Sequence, residues 1–155
     1  MKESSDRIEK TVLVRAPRER VWRALTDARE FGGWFGVDVA GAFAPGARLD
    51  MTVTARHPDH EGLAFPVQVE RMEAPRLLTW RWHPGAVLPE PEAVTEPMTL
   101  VEFRLEEVPD GTRVTVVETG FDAISLPRRA RAFEENDRGW TEQVGNIQRH
   151  VEAAA

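Results

Sequence analysis

The chain has 155 residues, of which 41% are hydrophobic and 30% are charged, and its formal net charge is -6. This length and balance predict one globular domain over residues 1–155, with a flexible tail at residues 1–7. The acidic charge argues against nucleic-acid binding, because a nucleic-acid-binding domain normally presents a basic surface. Cysteine is absent, which excludes disulfides, thiolate nucleophiles and cysteine metal sites.

The sequence contains no pattern that would direct it to a membrane or out of the cell. Residues 1–7 are mostly polar and lead directly into a strand-like segment. A run of about 20 apolar residues, which a membrane-spanning helix needs, does not occur. We therefore expect a cytoplasmic protein that makes no membrane contact.

The N-terminal part of the chain predicts a strand followed by two short helices. Residues 8–15 are rich in β-branched side chains, which favour a strand. After Pro17, apolar residues recur at helical spacing over residues 21–28. Asp27 and Glu30 have the spacing of a capping box, so a second helix is expected to begin there.

From residue 37 to residue 120 the hydrophobic period changes to two, which predicts about six strands joined by short turns. Turn-forming residues occur at 44–46, 57–62, 74–76 and 109–111. In the last of these strands Glu118 follows Val114 and Val116 on the same face. Simple alternation therefore points its carboxylate towards the inside of the protein.

Residues 126–152 predict one long helix of about 40 Å, with an apolar stripe that includes Phe133, Trp140 and Val144. Gly139 and Gly145 interrupt it, at a cost of up to about 1 kcal/mol each relative to alanine. Close approach of the helix to the sheet is the expected reason. An antiparallel sheet with one apolar face needs a cover. We therefore expect an α+β fold in which a curved antiparallel sheet of six or seven strands wraps around this helix and leaves a cavity.

Several short motifs, taken in chain order, are similar to those of a known family. They occur at residues 16–17, 21–22, 24–27, 34–36, 75–80, 111–115, 118–121 and 139–140. Together they resemble the helix-grip fold of the START/Bet v 1-like (SRPBCC) superfamily, and within it the activator of Hsp90 ATPase homologue 1-like family. The resemblance implies two functions besides ligand binding. One is an Hsp90-type co-chaperone or interaction module that stimulates a chaperone ATPase, and the other is a cofactor-independent, polyketide cyclase-like enzyme.

The cavity is expected to bind a small hydrophobic molecule, of an aromatic or polyketide-like kind. Aromatic side chains suit such a wall, because they combine a large apolar surface with a few directional polar groups. Ordinary core packing is the alternative explanation for each of them. The expected ligand-binding residues are Trp34, Phe35, Met51, Phe65, Val67, Trp80, Trp82, Phe103, Glu118, Phe121, Asp137, Trp140 and Val144.

Glu118 is also the candidate acid or base, because a carboxylate in an apolar site has a raised pKa. The alternatives are a solvated strand end or an ion pair with Arg81, Arg104 or Arg138. Asp137 lies near the middle of the helical stripe, where it either contacts the pocket or marks the point at which the helix leaves the sheet.

The remaining expectations concern metals, loops and partners. His57 and His60 lie in a predicted turn without a metal-ligand spacing, so neither a metal nor a cofactor is expected. Residues 84–97 form a long proline-rich connection, which is either a lid or a plain surface loop. The chain is expected to be a monomer or a homodimer.

Overall fold

The computed structural model describes residues 7–84 and 97–153. Within these residues seven strands and three α-helices follow one another, with short 3-10 turns at Pro58–His60 and Phe121–Ala123. In chain order they are β1 (Arg7–Val14), α1 (Arg18–Thr26), α2 (Ala28–Phe35), β2 (Val37–Ala40), β3 (Arg48–Val53), β4 (Ala64–Glu73), β5 (Leu77–Trp82), β6 (Thr99–Val108), β7 (Gly111–Thr119) and α3 (Leu126–Ala153).

The strands form one antiparallel sheet in the order β1-β7-β6-β5-β4-β3-β2. From β2 to β7 each strand pairs with the next one along the chain, and β1 joins the sheet beside β7. Because β1 and β2 occupy opposite edges, α1 and α2 carry the chain from one edge to the other. The predicted curved antiparallel sheet, with two short helices after the first strand and a long C-terminal helix, is confirmed.

One face of the sheet is apolar because its side chains alternate. On β6, Val101, Phe103 and Leu105 are buried, whereas Glu102 and Arg104 point to the other face and form a salt bridge. Buried apolar residues from each of the seven strands belong to one core cluster with residues of the three helices. Burial of this face against the helices is the main force that holds the fold together.

The start and end of α2 follow from its sequence. The Asp27 side chain accepts a hydrogen bond from the backbone N–H of Glu30 at 3.0 Å, as the capping-box spacing predicts. The helix ends at Gly36, whose φ of +92° lies in the left-handed region that favours glycine. A Cβ there would lie 2.5 Å from Nε2 of His57, so the glycine also lets that histidine pack against the end of the helix.

The long helix α3 has 28 residues, which corresponds to a length of about 42 Å. Trp140, Ile147 and Val151 are buried along it and belong to the core cluster. Gln148 donates a hydrogen bond to the Leu13 carbonyl of β1 at 2.8 Å. The helix therefore lies along the apolar face of the sheet, as its hydrophobic stripe predicts.

The two glycines inside α3 are not explained by close approach to the sheet, and that expectation is wrong. A Cβ at Gly139 would meet no atom within 4 Å. At Gly145 the nearest atoms are those of the Arg149 guanidinium, from 3.2 Å, and this is the mobile end of a side chain on the same helix. Neither position is crowded by a strand.

Two expected segments lie largely outside the described residues. The first is the tail expected at residues 1–7. Its last residue, Arg7, belongs to β1 and pairs with Thr119, and residues 1–6 lie outside the described residues. The lid or loop expected at residues 84–97 falls mostly on residues 85–96, which are outside it as well. None of the helices in the two described ranges combines the length and apolar character that a membrane crossing requires.

Candidate functional site

A pocket of about 350 Å³ lies between α3 and one end of the sheet. Its walls come from the ends of α2, β3 and β5, the beginnings of β2 and β4, and one face of α3. Pockets that hold small molecules have volumes of roughly 300–1,000 Å³, so this one is large enough for a small ligand. It is lined by Phe35, Val37, Val53, His57, His60, Phe65, Trp82, His83, Glu135, Asn136, Arg138, Gly139, Trp140, Glu142 and Gln143.

Four aromatic rings make up most of the apolar wall. The ring centroids of Trp82 and Trp140 are 5.7 Å apart, and Phe65 lies 5.8 Å from Trp82. Phe35 lies 6.0 Å from Trp140. These separations are typical of offset and edge-to-face aromatic pairs. The rings therefore support one another and form a rigid wall rather than a loose collection of side chains.

The two pocket tryptophans share one hydrogen-bond acceptor, the carboxylate of Glu118. Trp140 Nε1 donates to Oε1 at 2.8 Å, and Trp82 Nε1 donates to Oε2 at 2.8 Å. Thr99 Oγ1 donates to Oε2 at 2.6 Å, and Asn136 Nδ2 lies 3.0 Å from both oxygens. Trp82 belongs to β5, Thr99 to β6, and Asn136 and Trp140 to α3. Glu118 on β7 therefore connects α3 to three adjacent strands, namely β5, β6 and β7 itself.

The Glu118 side chain is completely buried, and each of its four partners is electrically neutral. Burial raises the pKa of this carboxyl, because the charged form loses its water. The hydrogen bonds from Thr99, Trp82, Trp140 and Asn136 lower the pKa again but do not cancel the effect of burial. The pKa of Glu118 is therefore above the ordinary glutamate value.

The arginines considered as ion-pair partners of Glu118 are placed elsewhere. Arg81 pairs with Glu70 at 2.7 Å, Arg104 pairs with Glu102 at 3.1 Å, and Arg138 lies on the rim of the pocket. Glu118 does not line the pocket itself. Its oxygens face the indole N–H groups of the two wall tryptophans, so it holds the wall in place from behind.

Polar side chains of α3 form one side of the pocket rim. Glu135, Asn136, Glu142 and Gln143 line the pocket, and their spacing of three to four residues places them on one face of the helix. Sequence reasoning missed this face, because the apolar stripe of the same helix is the stronger pattern. The regular spacing of these polar residues was the signal that could have identified it.

The opposite side of the rim carries His57, His60 and His83. His57 Nε2 lies 3.2 Å from the carbonyl oxygen of Phe35, and Gln143 Nε2 donates to the same oxygen at 2.8 Å. The end of α2 is thereby tied to the β3–β4 turn and to α3. In the described part of the chain no group of three or more histidine, aspartate or glutamate side chains is arranged to hold a metal.

Four of the sequence-predicted ligand-binding residues line the pocket, namely Phe35, Phe65, Trp82 and Trp140. Trp80 and Phe103 stand behind them in the core. The Trp80 ring lies 5.8 Å from Trp82, and the Phe103 ring lies 5.7 Å from Trp140. These two residues support the wall without lining it.

The other predicted residues do not line the pocket. Trp34 points towards α1, where its Nε1 donates to the carbonyl of Ala24 at 2.8 Å. Asp137 lies on a different face of α3 and pairs with Lys10 of β1 at 2.9 Å. The remaining four are core residues or pack against the core, and they are Met51, Val67, Phe121 and Val144.

Solved structures with the same architecture come from several bacteria. Protein MLL2253 from Mesorhizobium loti has a TM-score of 0.77 at 19% identity, over 96% of this chain and 98% of that chain. An Aha1 dimer from Colwellia psychrerythraea has a TM-score of 0.72 at 17% identity, over 94% of this chain and 96% of that chain. DynU16, from the dynemicin biosynthetic locus, has a TM-score of 0.71 at 23% identity over 96% of this chain. The match covers only 48% of DynU16, and at these identities the likeness shows the fold alone.

The comparison with curated proteins gives no match. The sequence model of the family described as "Activator of Hsp90 ATPase homolog 1-like protein" matches residues 15–152, which is most of the chain. Its span includes the aromatic wall, Glu118 and the pocket face of α3. The chain therefore belongs to the activator of Hsp90 ATPase homolog 1-like family, as the motifs in its sequence predict.

Proposed function

We propose that the protein binds a small, mainly apolar molecule with an aromatic part in the pocket between α3 and the sheet. The observation that carries this proposal is the wall itself, in which four aromatic rings surround a space of about 350 Å³. Trp82 is only partly buried, and Phe35, Phe65 and Trp140, which are 7%, 7% and 3% exposed, keep a small part of their apolar surface open to the pocket. A ligand that covers these rings would remove this surface from water, and that burial would drive binding.

The hydrogen bonds of Glu118 support the proposal, because they fix the wall before a ligand arrives. Trp82 and Trp140 are each held at 2.8 Å by one carboxylate oxygen. A wall that is already ordered loses little conformational entropy on binding, which favours affinity. The polar rim would meet the polar end of the ligand and set its direction in the pocket.

The fold also supports ligand binding, since helix-grip proteins of this kind commonly bind hydrophobic molecules. DynU16, which shares the fold, is a protein of a biosynthetic locus for dynemicin. A role of this chain in small-molecule metabolism would agree with that setting. The natural ligand would be found by native mass spectrometry of the protein purified from its own host, where we expect a retained small molecule.

The proposal is tested with a neutral fluorescent aromatic probe, N-phenyl-1-naphthylamine, and two matched variants. Phe65→Ala removes a ring from the wall, and Phe133→Ala removes a ring that packs on Phe121 at 5.2 Å and does not line the pocket. We expect the wild type to bind one probe molecule. Phe65→Ala should weaken binding about tenfold, which corresponds to about 1.4 kcal/mol, because the probe loses its contact with one of the four rings of the wall.

Phe133→Ala is the control, since it makes the same chemical change at a partly buried ring packed against the core and should leave the dissociation constant within about twofold of the wild type. Two results would contradict the proposal. One is a wild type that shows no saturable increase in probe fluorescence, and the other is equal weakening by both variants.

The family name and the Aha1 dimer from Colwellia psychrerythraea favour a second function, stimulation of a chaperone ATPase. A docking module of that kind needs an exposed apolar surface. In the described parts of the chain, the exposed large hydrophobic side chains are Leu63 and Leu126. Ligand binding is therefore the better supported function, and an ATPase assay with an Hsp90-type chaperone tests the alternative.

The third function, a cofactor-independent cyclase-like activity with Glu118 as acid or base, has a geometric requirement. Trp82, Trp140 and Asn136 line the pocket while they donate to the carboxylate. One of these three side chains would therefore have to move before Glu118 could reach a ligand. Conversion of the retained small molecule into a product with a different chromatographic retention or mass, during incubation with the protein, would support such an activity.

A further inference from the structure

Gly139 lies at the centre of the pocket face of α3. Glu135 and Asn136 precede it by one turn, and Glu142 and Gln143 follow it by one turn, and all of them line the pocket. Residues at this spacing share one helix face. Because Gly139 itself lines the pocket and a Cβ there would meet no atom within 4 Å, a side chain at this position would extend into the open space of the pocket.

Two common reasons for a glycine inside a helix do not apply at Gly139. The residue is part of α3 and does not have the positive φ that favours glycine. A Cβ at this position would meet no atom within 4 Å, so a neighbouring element does not exclude a side chain. Glycine is nevertheless a poor helix former compared with alanine. The local structure alone would favour alanine here.

We propose that Gly139 determines which ligands the pocket accepts, an inference that rests on the proposed ligand binding. Without a side chain, the backbone of α3 forms part of the pocket wall at this position. A flat aromatic group of the ligand can then lie directly against the helix, with Trp82, Trp140 and Phe35 around it. A larger residue at this position would occupy the same space and exclude that group.

Gly33 in α2 provides a matched control. It is also inside a helix, and a Cβ there would also meet no atom within 4 Å. Unlike Gly139, it is exposed and does not line the pocket. Replacement of either glycine by alanine therefore makes the same change in helix propensity, but only one of the two replacements changes the pocket.

The experiment compares Gly139→Ala, Gly139→Leu and Gly33→Ala with the wild type, by thermal unfolding and by titration with N-phenyl-1-naphthylamine. We expect the melting temperature of each alanine variant to rise by about 2–4 °C, because the helix gains a better helix former without a clash. Gly139→Leu should weaken probe binding at least about tenfold while it remains folded. Gly139→Ala should weaken binding less, and Gly33→Ala should not change it.

The outcomes separate this inference from the proposed function. If the wild type binds the probe and Gly139→Leu binds it equally well, the inference is wrong and the proposed function stands. A fall in melting temperature for Gly139→Ala would also overturn the inference, because the glycine would then be required by packing. If the wild type itself does not bind the probe, the proposed function fails and the inference fails with it.

Discussion

Glu118 shows how one side chain controls the shape of a pocket that it does not line. Its two oxygens accept hydrogen bonds from Trp82, Trp140, Thr99 and Asn136. Indole and amide N–H groups can only donate, so they need an acceptor at this point in the core. A carboxylate supplies two acceptor oxygens in one residue, and it accepts bonds from both of the indoles that form the pocket wall.

The pKa of Glu118 gives a stability prediction with a definite sign. Because burial raises the pKa in the folded state, this shift stabilises the protein at acid pH and the contribution is lost as pH rises through the folded-state pKa. Glu118→Gln should destabilise the fold by about 1–3 kcal/mol, since its amide N–H₂ would face other donors. Urea unfolding should show this difference narrowing as pH rises above the ordinary glutamate range.

The control for this measurement is Glu106→Gln. Glu106 is an exposed carboxylate on β6, whose partner is Arg113 at 2.6 Å, and exposed pairs contribute about 0–1 kcal/mol. Its replacement should change stability little at any pH. A loss of stability in Glu118→Gln that grows as pH rises would contradict a raised pKa for Glu118.

The helices α1, α2 and α3 meet at a second glutamate with the opposite pH behaviour. Glu30 on α2 lies 2.9 Å from Arg20 Nη1 and 3.0 Å from Arg23 Nε, and His150 Nε2 of α3 lies 3.0 Å from its Oε1. Partial burial raises the pKa of Glu30, but the hydrogen bonds from His150, Arg20 and Arg23 outweigh this effect. The pKa is lowered overall.

A lowered pKa means that Glu30 stabilises the fold above the ordinary glutamate range, and that this stabilisation is lost as pH falls through the folded-state pKa. Glu30→Gln should therefore cost about 0.5–1 kcal/mol at neutral pH, and the deficit should disappear in acid. Urea unfolding of the wild type and of Glu30→Gln, measured from neutral pH down to acid pH, tests this expectation. A deficit that is constant or larger in acid would show that the contacts of Glu30 do not depend on its charge.

The elements themselves could be predicted from the sequence because they depend on local periodicity. The period of two on β6 and the stripe of α3 each follow from burial on one face. The same rule points Glu118 inward. The proposed role of Gly139 could not be predicted in this way, since a glycine inside a helix suggests packing against the sheet. Its role depends on empty space, which no local pattern encodes.

The histidine side of the pocket rim also escaped prediction, for a different reason. His57 reaches the pocket only because the β3–β4 turn folds against the end of α2, where the histidine approaches the carbonyl of Phe35. That contact joins residues 22 positions apart and belongs to a turn rather than to a periodic element. Polar residues in turns are ordinarily interpreted as solvated, so their position beside the aromatic wall became visible only in three dimensions.

At the scale of the whole molecule, the pocket results from the way one long helix covers a curved sheet. Towards its C-terminus α3 packs closely, with Ile147 and Val151 buried. Around Gly139 the helix faces the end of the sheet, and the space between them is left open. The fold is thus closed at one end by apolar packing and open at the other, where the aromatic wall and polar rim lie.

The most direct test of ligand binding in this pocket follows the five tryptophan indole N–H signals by ¹H–¹⁵N NMR, as N-phenyl-1-naphthylamine is added to the wild-type protein. Trp82 and Trp140 line the pocket, whereas Trp22 and Trp34 belong to α1 and α2 outside it. We predict saturable shifts of the Trp82 and Trp140 signals, with those of Trp22 and Trp34 unchanged. Shifts confined to Trp22 and Trp34, or no shift in any of the signals, would contradict the account.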